Sequence, residues 1–166
     1  LLVFVGSRSD LGPSVAARGG YQSGSSASAF SSRLTSSDIE PFIGYIFFDR
    51  SDPWFVDASP ETTVDIPFDS IDLISVAIHE IGHALGMTDG SPAPVSNGGL
   101  SGYNCLLSNS GSPIPYSSSG HFEEGFANNS TVMDPIAAAG RTYPSRYDLA
   151  WLADIGYEIA PSAGVN

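Results

Sequence analysis

Apolar and polar positions alternate between distinct regimes along this chain. Leu1-Leu2-Val3-Phe4-Val5 is a short unbroken apolar run ended by Gly6, which predicts a buried strand over residues 1–6. Residues 7–41 are rich in Ser, Gly and Ala with few periodic apolar positions, and only a short helix near Ser14–Arg18 or Ala27–Leu34 fits there. Phe42-Ile43-Gly44-Tyr45-Ile46-Phe47-Phe48 is β-branched and aromatic, the strongest strand signal in the sequence. Asp49–Asp69 contains Pro53, Pro60 and Pro67 and reads as a loop with a short strand at Trp54–Val56.

From Ser70 to Leu85 the period changes. Ile71, Ile74, Ile78, Ile81 and Leu85 recur on one side of a helix turning by about 100° per residue. Asp69 is the expected N-cap, Asp72 adds a carboxylate to the first turn, and Gly86 stops the helix. Residues 87–131 are dominated by Gly, Ser, Pro and Asn and read as one long loop, a length that is usually functional. A last helix starts at Ser145 with Asp148 at its capping-box position, carries Leu149, Leu152 and Ile155, and ends at Gly156.

This order predicts an α+β fold with a small mixed β-sheet, a central helix and a C-terminal helix. A chain of 166 residues suits one domain, 1–166, with no linker or repeat. Its N-terminal part, 1–86, holds the sheet and first helix, and 87–166 holds the long loop and last helix. No apolar window is long enough to span a membrane, and the opening run lacks a basic leader, so it reads as a strand rather than a signal peptide. Eighteen acidic residues against six arginines, with no lysine, give a net charge of −12, which argues against nucleic acid or an anionic membrane as partner. The single Cys105 cannot form an internal disulfide and reads as a lone loop thiol.

Within the first helix, His79-Glu80-Ile81-Gly82-His83 fits H-E-x-x-H. Residues i and i+4 share a helix face, so two imidazoles can reach one metal, on the side opposite the isoleucine stripe. Zinc accepts imidazole nitrogen and leaves a position for water, and Glu80 beside the first ligand can take that water's proton. Gly86 extends the motif to H-E-x-x-H-x-x-G, and Thr131-Val132-Met133-Asp134-Pro135 follows before the last helix.

These residues resemble the metzincin metallopeptidases over roughly 40–160. The resemblance implies a metzincin-like zincin fold, a sharp turn at Gly86 and Met133 as the methionine of a Met-turn beneath the metal. It implies a secreted zinc endopeptidase that acts on polypeptides, expected as a monomer. In compact metzincins the third ligand falls six residues after the second histidine, at Asp89 here. In the leishmanolysin-like branch it follows an insertion and precedes the Met-turn. His121 matches that placement, Met133–Gly140 and Leu149–Gly156 also resemble that branch, and bacterial secreted matrixin-like proteases have endings similar to Leu149–Gly156. His121 is therefore the expected third ligand and Asp89 the alternative. The chain is far shorter than leishmanolysin and lacks its many cysteines.

The resemblance further implies an edge strand at 42–48 for substrate pairing and a pocket wall at about 136–147. A transition-state tyrosine of some metzincins is replaced by Pro135, with Tyr143 or Tyr147 as substitutes. Asp49, Asp52 and Asp57 are candidate calcium ligands. Two other functions compete: a non-catalytic zinc-stabilised extracellular binding module, and a small-molecule metallohydrolase. A purely structural zinc site needs no base, and the edge strand and methionine turn favour peptide.

Overall fold

The computed structural model describes residues 1–22, 39, 41–61, 65–117, 119–136 and 140–160. The architecture is α+β. Strands β1 (Leu2–Arg8), β2 (Ala17–Tyr21) and β3 (Ile43–Asp49) form a sheet in the order β1-β3-β2. It is mixed as expected, since β3 runs parallel to β1 and antiparallel to β2. The strongest strand signal therefore lies in the centre of the sheet, and the expectation of an edge at 42–48 is corrected: among the described residues the edge beside the first helix is β2. Ala17 and Arg18 are extended in β2, so no helix forms at 14–18, and the alternative at 27–34 lies outside the described residues. β1 is not buried either. Among the described residues it is paired on one side only, and Phe4 and Val5 remain 58% and 67% exposed.

A short parallel pair follows, β4 (Trp54–Phe55) with β5 (Ile71–Asp72). This pairing keeps the chain extended up to Asp72, so Asp72 rather than Asp69 caps helix α1 (Leu73–Leu85). Its Oδ2 accepts hydrogen bonds from Ser75 N at 3.1 Å and Ser75 Oγ at 2.6 Å. Gly86 ends the helix at φ 110°, a left-handed position that glycine takes without a side-chain clash.

The isoleucine stripe is not the most buried face of α1. Val76, Glu80, Gly82, His83 and Ala84 are buried, whereas Ile81 is 40% exposed. The sheet covers the side that carries Glu80 and Ala84. A Cβ on Gly44 of β3 would stand 2.9 Å from Ala84 Cβ, and one on Gly19 of β2 would stand 2.7 Å from Glu80 Oε2. Glycine at these two strand positions lets the helix sit directly on the backbone.

Residues 87–131 are not a structureless loop. They hold β6 (Val95–Ser96), β7 (Gly99–Leu100), helix α2 (Tyr103–Ser108), β8 (Ile114–Ser117) and β9 (His121–Phe122), with the strands in one antiparallel ladder. Met87, Ala93, Leu100, Cys105, Ile114 and Phe122 from this stretch belong to the main hydrophobic core. Cys105 lies in α2, not in a loop, and burial, reinforced by Asp154, pushes its thiol up. Asp154 accepts the Asn104 and Cys105 amides at 2.8 and 2.9 Å and so caps α2.

Helix α3 (Arg146–Asp154) has the expected start, a capping box between Ser145 and Asp148. Trp151 is fully buried at the centre of the core, edge-on to Tyr116 at 5.4 Å and beside Phe122 at 5.5 Å. Among the described residues no helix is long and apolar enough to cross a membrane.

Candidate metal centre and cleft

Helix α1 presents His79, Glu80 and His83, and β9 brings His121 to them from the other half of the chain. His121 Nε2 lies 3.1 Å from His79 Nε2 and 3.2 Å from His83 Nε2. The outer nitrogens are tied down. His79 Nδ1–H donates to Val132 O at 2.7 Å and His83 Nδ1–H donates to Met87 O at 2.6 Å. His121 Nδ1 is 3.1 Å from Ser119 Oγ. These bonds orient the rings and leave the Nε2 lone pairs of His79 and His83 facing the shared centre, as partners behind metal-binding histidines do.

Burial holds all three imidazoles below their usual pKa. For His83, burial and then His79 bring it to about 4, against the opposing pull of Met87 O and Asp89. For His121, burial followed by the two neighbouring histidines brings it to about 3. Burial likewise lowers His79. Neutral imidazoles with converging nitrogens are the donor set that a borderline-soft cation needs, and a single proton between them could not satisfy all three. Among the described residues this trio is the group that could hold a metal ion. Asp89 is exposed on the cleft rim, outside the trio.

Glu80 is 4% exposed, and its Oε2 has no hydrogen-bond partner among the described residues. Burial raises its pKa to about 7, with the Gly19 amide and the charge of Arg18 pulling the other way. A carboxyl poised near neutrality in a cleft has the properties of a general base.

The cleft has a volume of about 1130 Å³ and two unlike walls. One is the β2 edge, with Ala17, Arg18 and Gly19, plus Tyr45. The other runs from Thr131 through Val132, Asp134, Pro135 and Ile136 to Thr142. This second wall is fixed at many points. Met133 is fully buried, and a Cβ on Gly82 would stand 2.6 Å from its Sδ. Asp148 accepts the Val132 and Met133 amides at 3.1 and 3.0 Å with its two oxygens, while also serving Ser145 in the cap. Burial raises the Asp148 pKa, and these donors only partly offset it. Phe122 N donates to Met133 O at 3.0 Å, which links the turn to the strand carrying His121.

Further along, Thr142 N donates to Ser75 Oγ at 2.8 Å. The Arg141 side chain is fully enclosed. It donates to Asp72 from Nε and Nη2 at 3.0 and 2.8 Å, and its Nη2 also lies 2.6 Å from Asp57 Oδ2. Sequence reasoning missed both Arg141 and the second role of Asp148. The signal for Asp148 was its place in the capping box, but nothing in the sequence showed that the turn would meet the same carboxylate.

Tyr143 and Tyr147 do not reach the cleft. The Tyr143 hydroxyl donates to Pro60 O at 3.1 Å, and Tyr147 packs on Phe126 with ring centroids 4.8 Å apart. Calcium at Asp49, Asp52 and Asp57 has no support. Asp49 Oδ1 accepts Ser51 N at 2.9 Å, Asp57 pairs with Arg141, and no such acidic group emerges among the described residues.

Residues 22–93 match the family model of Matrixin, a peptidase family. The matched stretch contains α1 with His79, Glu80 and His83, and it ends before His121 and the Thr131–Asp134 turn. No curated protein and no solved structure matches the chain. The match covers less than half of the chain and supports a metzincin-type peptidase family. It gives no support to the leishmanolysin-like branch in particular.

Proposed function

We propose that this chain is a zinc-dependent endopeptidase in which His79, His83 and His121 hold the metal and Glu80 is the general base. The observation that carries the proposal is the convergence of three imidazoles beside a buried carboxylate whose Oε2 has no hydrogen-bond partner among the described residues, all in one cleft. Zinc bound there would supply a Lewis acid and lower the pKa of its water toward ~7. Glu80 takes a proton from the attacking water and returns it to the leaving amine. Val132 O and Met87 O hold the two helix imidazoles in position. An extended substrate pairs with the β2 edge, where backbone groups give affinity and the facing wall reads side chains.

In this reading the Thr131–Asp134 turn is the Met-turn, with Met133 beneath the histidines against Gly82. Residues 1–166 form a single catalytic domain of metzincin type, acting as a monomer. By its resemblance to secreted matrixin-like proteases it works outside the cell. Its likeness to the leishmanolysin branch rests on the placement of His121 and the residues around Met133.

The test is cleavage of a denatured protein by the zinc-loaded chain, with and without a chelator, beside Glu80→Gln. The account expects chelator-sensitive cleavage, and a loss of roughly 10²-fold or more in Glu80→Gln with zinc retained. Zinc bound at full occupancy without any cleavage would favour the binding-module reading.

A further inference from the structure

The charges of the described arginines are mostly spoken for. Arg8 pairs with Asp10 at 2.8 Å, Arg141 with Asp57 and Asp72, and Arg146 lies over the Tyr147 ring and donates to its hydroxyl. Arg18 differs. It is exposed, it makes one bond of 3.3 Å to Leu11 O and no salt bridge among the described residues, and its charge is felt by Glu80 across the cleft. It is also the arginine that lines the cleft.

Strand geometry places a second donor beside it. Gly19 faces α1, so Arg18 and Gly20 face the opposite side of β2. Gly20 stands opposite Tyr45 in the register, and Arg18 opposite Phe47. A Cβ on Gly20 would lie 2.9 Å from the Tyr45 hydroxyl, so the phenol crosses over the glycine toward the open edge. That hydroxyl has no hydrogen-bond partner among the described residues, and Tyr45 lines the same cleft. A guanidinium without a salt bridge and a phenol without a hydrogen-bond partner thus share one face at the substrate edge, as diagonal neighbours in the register.

We propose that Arg18 and Tyr45 form an anion-recognising subsite that selects peptides carrying an Asp or Glu side chain. This rests on the peptidase reading above. A peptide laid along β2 turns alternate side chains to the two faces of the sheet. Those on the inner face meet Glu80 and the histidines, and those on the outer face meet Arg18 and Tyr45. A carboxylate accepts from both donors, whereas an amide loses the ionic component and a lysine side chain is repelled. The chain's net charge of −12 disfavours acidic peptides at long range, so the preference is local and requires docking at this edge.

The experiment uses fluorescent peptides that differ only by Glu, Gln or Lys at each position in turn. Both equilibrium binding and cleavage are followed with the zinc-loaded protein and its Arg18→Ala, Arg18→Glu and Tyr45→Phe variants. The parent should favour Glu over Gln at one position by about fivefold, the upper range for an exposed charge pair. Arg18→Ala should remove that ratio, Arg18→Glu should invert it toward Lys, and Tyr45→Phe should reduce it. A Glu/Gln ratio near one in the parent, or one that survives Arg18→Ala, overturns the subsite. An unchanged ratio with a shifted acid limb of the activity profile assigns Arg18 to Glu80 instead and also overturns it. Selective binding of the Glu peptide without cleavage would keep the subsite and sink the peptidase reading.

Discussion

The two walls of the cleft are built on opposite principles. The β2 wall is spare: glycines at 19 and 20 strip away side chains, and one strand edge faces the cleft. The wall from Thr131 to Thr142 is fastened by Asp148, Ser75, Arg141 and the buried Met133. A backbone edge needs to stay open if a peptide is to add as a strand, while a metal site and a side-chain pocket need rigid support. Substitutions in the fastened wall should therefore cost stability, and those in the open wall should change substrate use.

Asp148→Ala should have the largest effect. It removes a helix cap and leaves the buried Val132 and Met133 amides without acceptors, a loss of roughly 3 kcal/mol or more. Thermal denaturation should show it, and a melting temperature near that of the parent would mean the turn does not depend on this clamp. Gly82→Ala should cost about 1–3 kcal/mol, because the new methyl meets Met133 Sδ. The same Gly82→Ala change should cost less in a Met133→Ala background if the clash is its cause.

Asp72→Ala should cost about 1 kcal/mol for the cap alone. It should also change the acid response. Burial would raise the Asp72 pKa, but hydrogen bonds from Arg141 and Ser75 outweigh it, and the folded value lies below the ordinary one. The stability this supplies is present above the unfolded pKa of ~4 and fades as pH falls through the folded value. Denaturant midpoints of parent and variant should converge below that range, and a gap that stays constant with pH would exclude the ionised pair as the source. Gly20→Ala in the open wall should be smallest, within about 0.5 kcal/mol, since the flexible Tyr45 hydroxyl can give way. A larger loss would show that this wall is also structurally strained.

The same contrast explains which parts were legible in the sequence. Helix α1 was readable because its period is long and its stop is a glycine, and the motif it carries needs only helix spacing. Its cap was misplaced by one turn because the β4–β5 pairing is invisible to local pattern. The isoleucine stripe misled because an amphipathic reading assumes one buried face, whereas the sheet covers Glu80 and Ala84 and the turn covers Gly82. The ladder in 87–131 could not be read, since most of its strands are two residues long and show no alternation. The stretch nonetheless contributes its own residues to the main core. His121 itself was found from the resemblance, not from any local pattern.

The central claim is that the centre is a three-histidine site. It is tested most directly by zinc content after dialysis of the parent, His121→Ala and Asp89→Ala. The account predicts one zinc per chain in the parent and in Asp89→Ala, and a strong loss in His121→Ala. Retention of zinc by His121→Ala together with its loss from Asp89→Ala would contradict it and place the third ligand on the cleft rim.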